Sequence, residues 1–459
     1  MNSNNFPRIR FLGGAGTVTG SKCLLTYLDK NILIDCGLFQ GLKELRLKNW
    51  DRFPIEPKSI DAVILTHAHI DHSGFIPRLV KEGFCGKVFC TAATLSLCKL
   101  LLPDTGHLQQ EEAEYLGHHR LSKHHPPLPL FDKAEAENSL KYFVPKNFNE
   151  EFEVFPGLTA CFLYAGHILG AAMALIQAGP RRIAFSGDIG RSQDPIFKSP
   201  HILPKIDYLI VESTYGNRQH EVTDPLLELE VLIKEAIEKK SVVMIPTFAV
   251  GRAQELLYFL SLLRKQGRIP WIPMYLNSPM ATDATKIFCE HQSLHKLSPQ
   301  ECLELSNVVH YIQSVEESRA LNEKKGPMLI LSASGMATGG RILHHLKAFA
   351  SDPKNMIIIA GYQALGTRGR SIQDGAKEVK IHRQFVSINA KVATLENLSA
   401  HADYTEIVSW LSKSEIHPAK VFVTHGEKDS ASEMRRHLEE TFGWKCETPS
   451  QDQEFILNN

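Results

Sequence analysis

The chain has 459 residues, 43% of them hydrophobic, and its 51 Lys plus Arg balance 51 Asp plus Glu. That length exceeds what one core usually organises, so two domains are expected. Zero net charge excludes a global positive field, so any polyanion site has to be a local patch, which the 21 histidines supplement only where protonated. Nine cysteines with no CxxC pair argue against a disulfide framework or a Cys-rich zinc ribbon, and fit reduced core thiols in a cytosolic protein. The start, Met1-Asn2-Ser3-Asn4-Asn5-Phe6-Pro7, lacks a signal-peptide core. No stretch approaches the ~20 apolar residues of a membrane span, and a soluble, cytoplasmic chain is expected.

Arg8-Ile9-Arg10-Phe11-Leu12 reads as a strand that runs into Gly13-Gly14-Ala15-Gly16-Thr17-Val18-Thr19-Gly20-Ser21. Those glycines are misspaced for a dinucleotide fingerprint, and Cys23 to Leu28 reads as a second strand, so a glycine-rich hairpin is expected. Asn31-Ile32-Leu33-Ile34 is a strand ending in Asp35. The apolar run Asp61-Ala62-Val63-Ile64-Leu65 then delivers Thr66-His67-Ala68-His69-Ile70-Asp71-His72. Four metal-capable side chains in six positions at the end of a buried strand form a metal site, of a composition suited to zinc, iron or manganese. His67 and His69 face one ion if the loop turns; Asp71 and His72 point elsewhere, so the spacing suits two ions better than one.

A helix over 74–83 leaves this loop. From 100 to 146 the histidines His107, His118, His119, His124 and His125 are irregularly spaced and read as a solvated helix and loop rather than another metal site. Two later strands repeat the device of His67. Leu158 to Tyr164 leads to Ala165-Gly166-His167, and Arg182 to Ser186 leads to Gly187-Asp188, each placing a metal-capable side chain between small residues.

The pattern His67-x-His69-x-Asp71-His72, followed by His167 and Asp188, resembles the signature of the metallo-β-lactamase superfamily. Asp207 to Gly216 with Glu212, Phe248-Ala249-Val250-Gly251-Arg252-Ala253-Gln254-Glu255, Ser399-Ala400-His401-Ala402-Asp403 and Val423-Thr424-His425-Gly426-Glu427 resemble its β-CASP branch. That branch includes the pre-mRNA cleavage endonuclease, ribonuclease J and the DNA nuclease Artemis. The resemblance covers about residue 8 to nearly the C-terminus, without the N-terminal RNA-binding domains of archaeal members or the C-terminal domain of ribonuclease J. It implies an α/β protein: a metallo-β-lactamase αββα sandwich over 1–213 and 395–459, with an inserted α/β β-CASP cap domain over 214–394 that closes over the active site.

The same resemblance implies the ligands. His67, His69 and His167 would hold one ion, and Asp71, His72 and His425 the other. Asp188 bridges both, and Asp35 orients the metal loop by hydrogen bonding. The cofactor expected is two Zn2+, with Mn2+ an alternative; oxygen reductases of the superfamily need a carboxylate where Ala68 stands, so hydrolysis is preferred to di-iron redox chemistry. His425 matches a ligand of the RNA-processing members, where the DNA-processing ones carry valine. His401, held by Glu212, matches the acid that protonates the leaving group. The expected activity is a zinc-dependent ribonuclease acting on single-stranded RNA as endonuclease, 5′-exonuclease or both. Glyoxalase- or lactonase-type hydrolysis of a small molecule is the alternative, and a homodimer is left open.

In the inserted half, strands are expected at Val242 to Pro246, Met328 to Leu331 and Met356 to Ala360, with an amphipathic helix over 226–237. Two glycine-rich loops follow strands there. Ser332-Ala333-Ser334-Gly335-Met336-Ala337-Thr338-Gly339-Gly340-Arg341 precedes a helix over 342–350 and suits a phosphate. Its candidate substrate-binding residues are Ser332, Ser334, Gly335, Gly339, Gly340 and Arg341, joined by Arg368 from the loop Gly361 to Arg370.

Overall fold

A computed structural model describes residues 6–119, 126–395 and 397–458. The chain forms two compact units. One comprises Met1–Asp194, Lys198–Gln219 and His401–Asn459, the other Pro195–Phe197 and His220–Ala400.

The first unit holds two seven-stranded sheets. One runs in the order Glu454–Ile456, Arg8–Gly13, Lys22–Tyr27, Lys30–Ile34, Ile60–Ile64, Lys87–Thr91, Phe143–Lys146. The other runs Cys446–Glu447, Lys420–Thr424, Tyr208–Glu212, Arg181–Phe185, Ala172–Ala178, Leu158–Tyr164, Glu151–Phe155. Their facing surfaces make one core, with Ile9, Phe11, Ile32 and Ile64 from the first sheet against Phe162, Ile176, Ile210 and Phe422 from the second. Alternate residues of a strand share a face, which is why Ile32 and Ile34 both point into this core.

The strands Lys30–Ile34 and Ile60–Ile64 are parallel, as are Arg181–Phe185, Tyr208–Glu212 and Lys420–Thr424. Their carboxyl ends therefore gather at common sheet edges, where ligands of α/β proteins usually bind. Asp35, the loop of His67, Asp188, Glu212 and His425 all lie at such ends. The expected glycine-rich hairpin is present as the antiparallel pair Arg8–Gly13 and Lys22–Tyr27.

The helix expected over 74–83 is shorter, Ile76–Lys81. The histidine-rich stretch is dominated by one 27-residue helix, Ala92–His118, with His107, His118 and His119 exposed; His124 and His125 lie outside the described residues.

In the second unit a six-stranded sheet runs His310–Tyr311, Met274–Leu276, Met328–Ser332, Val242–Pro246, Met356–Ala360, Lys391–Leu395. Every pairing in it is parallel. The three strands expected from sequence, fully buried runs of Val, Ile, Leu and Met, are adjacent at its centre. A separate hairpin pairs Glu378–Ile381 with Gln384–Ser387. Among the described residues no helix is long and apolar enough to cross a membrane. All nine cysteines are free thiols.

Candidate metal centre

The strand Ile60–Ile64 ends in a loop whose first residues are extended, after which a single helical turn, Ile70–Ser73, carries Asp71 and His72. This break in period turns the two ligand pairs to different sides. The ligand atoms of His67, His69, His167 and Asp188 all lie within 4.8 Å of one another, as do those of Asp71, His72 and His425. Asp188 stands between the groups. Its Oδ2 is 3.4 Å from His67 Nε2 and 3.6 Å from His167 Nε2. Its Oδ1 is 3.4 Å from His72 Nε2 and 3.3 Å from His425 Nδ1. Asp71 Oδ2 lies 3.5 Å from His425 Nε2.

These donors fit divalent cations. Asp188 is 2% exposed, and neither its Oδ1 nor His67 Nε2 has a hydrogen-bond partner among the described residues. A buried carboxylate oxygen and imidazole nitrogen left in that condition are costly unless a cation takes them up. Burial, with smaller repulsion from neighbouring imidazoles, holds His67 and His167 below the ordinary histidine range and pushes His69 down to about 3. The neutral ring this favours is the form that binds metal. Burial acts on His72 in the same sense, but Asp188 and Asp35 outweigh it and raise that residue.

Asp35 is hydrogen-bonded to the loop that carries His67 and His72. Its Oδ1 accepts from the Thr66 backbone N–H at 2.7 Å, its Oδ2 accepts from Thr66 Oγ1 at 2.8 Å, and His72 Nδ1 lies 2.7 Å from Oδ2. Asp35→Asn, which keeps the size but puts an amide donor where donors already point, is expected to weaken metal affinity about 10- to 100-fold. Metal titration against a competing chelator would check this.

Clearance around the loops is minimal. A Cβ on Gly37 would sit 1.6 Å from the Asp71 carbonyl oxygen, and one on Gly190 would sit 2.0 Å from that of Gly166, next to His167. Gly37→Ala is expected to destabilise the fold by about 3 kcal/mol or more, read as a shift in the chemical denaturation midpoint, because backbone rather than a flexible side chain blocks the methyl.

Glu212 and His401 form a second constellation beside the first. His401 Nδ1 lies 3.2 and 3.1 Å from the two Glu212 oxygens and 3.9 Å from Asp188 Oδ2. Its ring centroid is 4.4 Å from that of His167. Glu212 Oε1 also accepts from the Ile189 backbone N–H at 2.7 Å and Oε2 from Thr214 Oγ1 at 2.5 Å, which fixes the carboxylate. Burial opposes charge on His401, but Glu212, with Asp188 and Asp71, outweighs it and raises the residue to about 8.

Sequence reasoning missed two supports. Thr214 Oγ1 sits 3.2 Å from His425 Nδ1, tying Glu212 to the metal side. Lys22 is buried, donates to the carbonyl oxygens of Gly20 and Gly37, and lies 4.5 and 5.0 Å from the ring centroids of Phe39 and Phe75. The signal for Lys22 was a lone cation opening an apolar strand.

The substrate-binding candidates sit together in the second unit, but not all face outward. Ser332 is buried and donates to the Asn277 carbonyl at 2.9 Å. Arg341 donates to Asn277 Oδ1 and to the Ile312 and Gln313 carbonyls. Arg368 donates to the carbonyls of Lys380, Ala337 and Thr338. Ser332 and Arg341 thus anchor the two ends of the glycine-rich loop to Asn277 and the segment 312–313, while Arg368 braces it through the loop's own carbonyls of Ala337 and Thr338. Gly335 packs against Phe248, and Ser334 Oγ accepts from the Thr338 N–H, while Gly340, with φ of 71°, lies exposed and Gly339 has open space around it.

Residues 23–229 match the Metallo-beta-lactamase superfamily, residues 253–372 the Beta-Casp domain, and residues 386–449 the Zn-dependent metallo-hydrolase RNA specificity domain. The chain is 35% identical to Ribonuclease TTHA0252 of Thermus thermophilus over 92% of its own length and 94% of the relative's. It is 32% identical to Transcription termination factor FttA of Methanosarcina mazei, over 94% of this chain and 68% of that one. It is 31% identical to the RNase J-like protein of Methanocaldococcus jannaschii, over 92% of each. Three matched domains and full-length likeness agree with the geometry of the centre: the chain belongs to the β-CASP branch of the metallo-β-lactamase superfamily of zinc-dependent hydrolases.

Proposed function

We propose that the protein is a ribonuclease that hydrolyses phosphodiester bonds of single-stranded RNA, using two zinc ions. The observation that carries this is Asp188, whose two oxygens face two separate ligand groups, His67 and His167 on one side, His72 and His425 on the other. Held there, divalent cations supply the Lewis acidity that activates water near neutral pH and offsets charge on the attacking and leaving oxygens of an in-line displacement. Asp71 and His425 complete one donor set, and His69 completes the other.

His401 carries the second half of the reaction. Its Nδ1 is engaged by Glu212, so the proton it gives comes from Nε2 and goes to the departing 3′-oxygen. The bond from phosphorus to that oxygen breaks, leaving a 3′-hydroxyl on one product and a 5′-phosphate on the other. Glu212 keeps the ring oriented and favours its protonated form. RNA as substrate is supported by His425 at the position that separates RNA- from DNA-processing relatives, by the RNA specificity domain match, and by the ribonuclease names of two relatives. A glyoxalase or lactonase leaves Glu212, His401 and the second unit's glycine-rich loop without a use, and is not favoured.

Incubation with 5′-labelled and internally labelled RNA tests the reading and separates endo- from exonucleolytic action. Cleavage is expected to stop with chelator and return with Zn2+. Thioester turnover with intact RNA would overturn it, and zinc analysis of the purified protein checks for two ions per chain.

A further inference from the structure

We infer that the hairpin Glu378–Ile381/Gln384–Ser387, with the exposed side of the helix Ile342–Phe349, forms an accessory surface for the RNA backbone in the second unit. The inference rests on the ribonuclease reading and adds to it a binding place that is not the glycine-rich loop itself.

The chain carries no net charge, so a cluster in which cations outnumber carboxylates is informative. The hairpin turns at His382 and Arg383, both exposed and both at positive φ, 45° and 68°. The His382 ring lies 4.8 Å from that of His344 on the neighbouring helix. Partial burial, and then Lys347 and Arg319, lower His344; partial burial, and then His344, Lys347 and Arg368, lower His382. The charged neighbours that lower this pair, Lys347, Arg319 and Arg368, are cations.

The hairpin also presents an aromatic. Val379, Ile381 and Val386 point inward to the unit's core, so the alternate residues face out. Among these Lys380 is directly opposite Phe385, with Nζ 5.9 Å from a ring that is 68% exposed. Glu378, across from Ser387 at the base of the hairpin, is the carboxylate on that face, and the nearby Asp374 is paired with Arg370. Arg368 ties the hairpin to the glycine-rich loop, donating to the Lys380 carbonyl on one side and to Ala337 and Thr338 on the other.

Cations spaced around an exposed ring, on a two-stranded support, are what a sequence-tolerant single-strand binder uses: phosphates meet the cations and a base stacks on the ring. An acidic peptide would use the charges but not the bare Phe385.

The test is a quadruple variant of the full-length zinc-loaded protein, Lys347→Gln, Lys380→Gln, His382→Asn and Arg383→Gly. Asn-Gly is the preferred pair for a two-residue hairpin turn with both φ positive, so the hairpin is retained. For an unstructured RNA of about 30 nucleotides, Kd by fluorescence anisotropy and KM are expected to rise roughly tenfold, with kcat within twofold. The slope of log Kd against log salt should fall by about 2, at ~0.7 for each phosphate no longer neutralised. Hydrolysis of bis(p-nitrophenyl) phosphate should not change. Phe385→Ala should weaken RNA binding about fivefold or more while leaving the salt slope alone.

Unchanged Kd and salt slope in a variant with wild-type melting temperature would overturn the surface. So would intact RNA binding with lost binding to phosphatidylserine vesicles, which would make it a membrane-binding face. A wild-type protein that binds RNA through these residues but does not cut it would overturn the ribonuclease reading instead.

Discussion

His401→Ala is expected to lower kcat on RNA about 10²- to 10⁴-fold, the usual worth of a positioned general acid, with zinc content unchanged. The separation is possible because His401 touches the centre only at its margin. Its Nδ1 is 3.1 Å from Glu212 but 3.9 Å from Asp188, and it belongs to none of the clusters of mutually close ligand atoms that contain His67 or Asp71. A substrate with a good leaving group, such as a p-nitrophenyl phosphodiester, needs no proton at the departing oxygen and should lose much less. Elemental analysis beside steady-state kinetics decides: a variant that sheds zinc in step with activity would make His401 a metal-site residue rather than the acid.

Asp188→Ala is expected to be at least as damaging, by a different route. Removing the carboxylate leaves His67, His72, His167 and His425 facing a gap with no anion between the two donor groups. A pair of cations held one by each group, as in two-metal hydrolases, would repel strongly without that charge. The variant should therefore retain less than the full zinc complement and lose RNA cleavage. Full occupancy with normal turnover would exclude the bridging role. Asp188→Asn, which keeps shape and one acceptor, is expected to fall between Ala and the native residue in metal retained.

The centre was legible in sequence because its chemistry is written at strand ends. His67 to His72 follow a short β-branched apolar run that reads as a buried strand; His167 and Asp188 follow similar runs, but as lone side chains they became ligand candidates through the order of the family's ligands. His401, His425 and Glu212 were legible only through the family resemblance, since a single His or Glu after a strand or at a helix start carries no local signature. The second unit's central strands were equally plain, Met356–Ala360 being a continuous buried run. Its two short strands Met274–Leu276 and His310–Tyr311 were not, because two or three residues are too few to show a period.

The roles of Ser332 and Arg341 were hidden for another reason. Composition says that a loop of glycine, serine and arginine suits an anion, but not which of its donors an acceptor elsewhere in the fold has already claimed. Asn277, a single residue more than fifty positions upstream, claims both. Lys22 went unseen because its partners, Gly20 and Gly37 carbonyls and the faces of Phe39 and Phe75, are set by tertiary approach.

His72 and His425 are 353 residues apart along the chain yet 3.1 Å apart in space, and the strand that opens the first sheet is bordered by one of the last, Arg8 opposite Ile456. During translation the amino-terminal donors therefore wait, half a cage, while the whole intervening unit is made. Cleavage that needs both donor groups is therefore expected only once the segment bearing His425 has folded back beside Asp71 and His72.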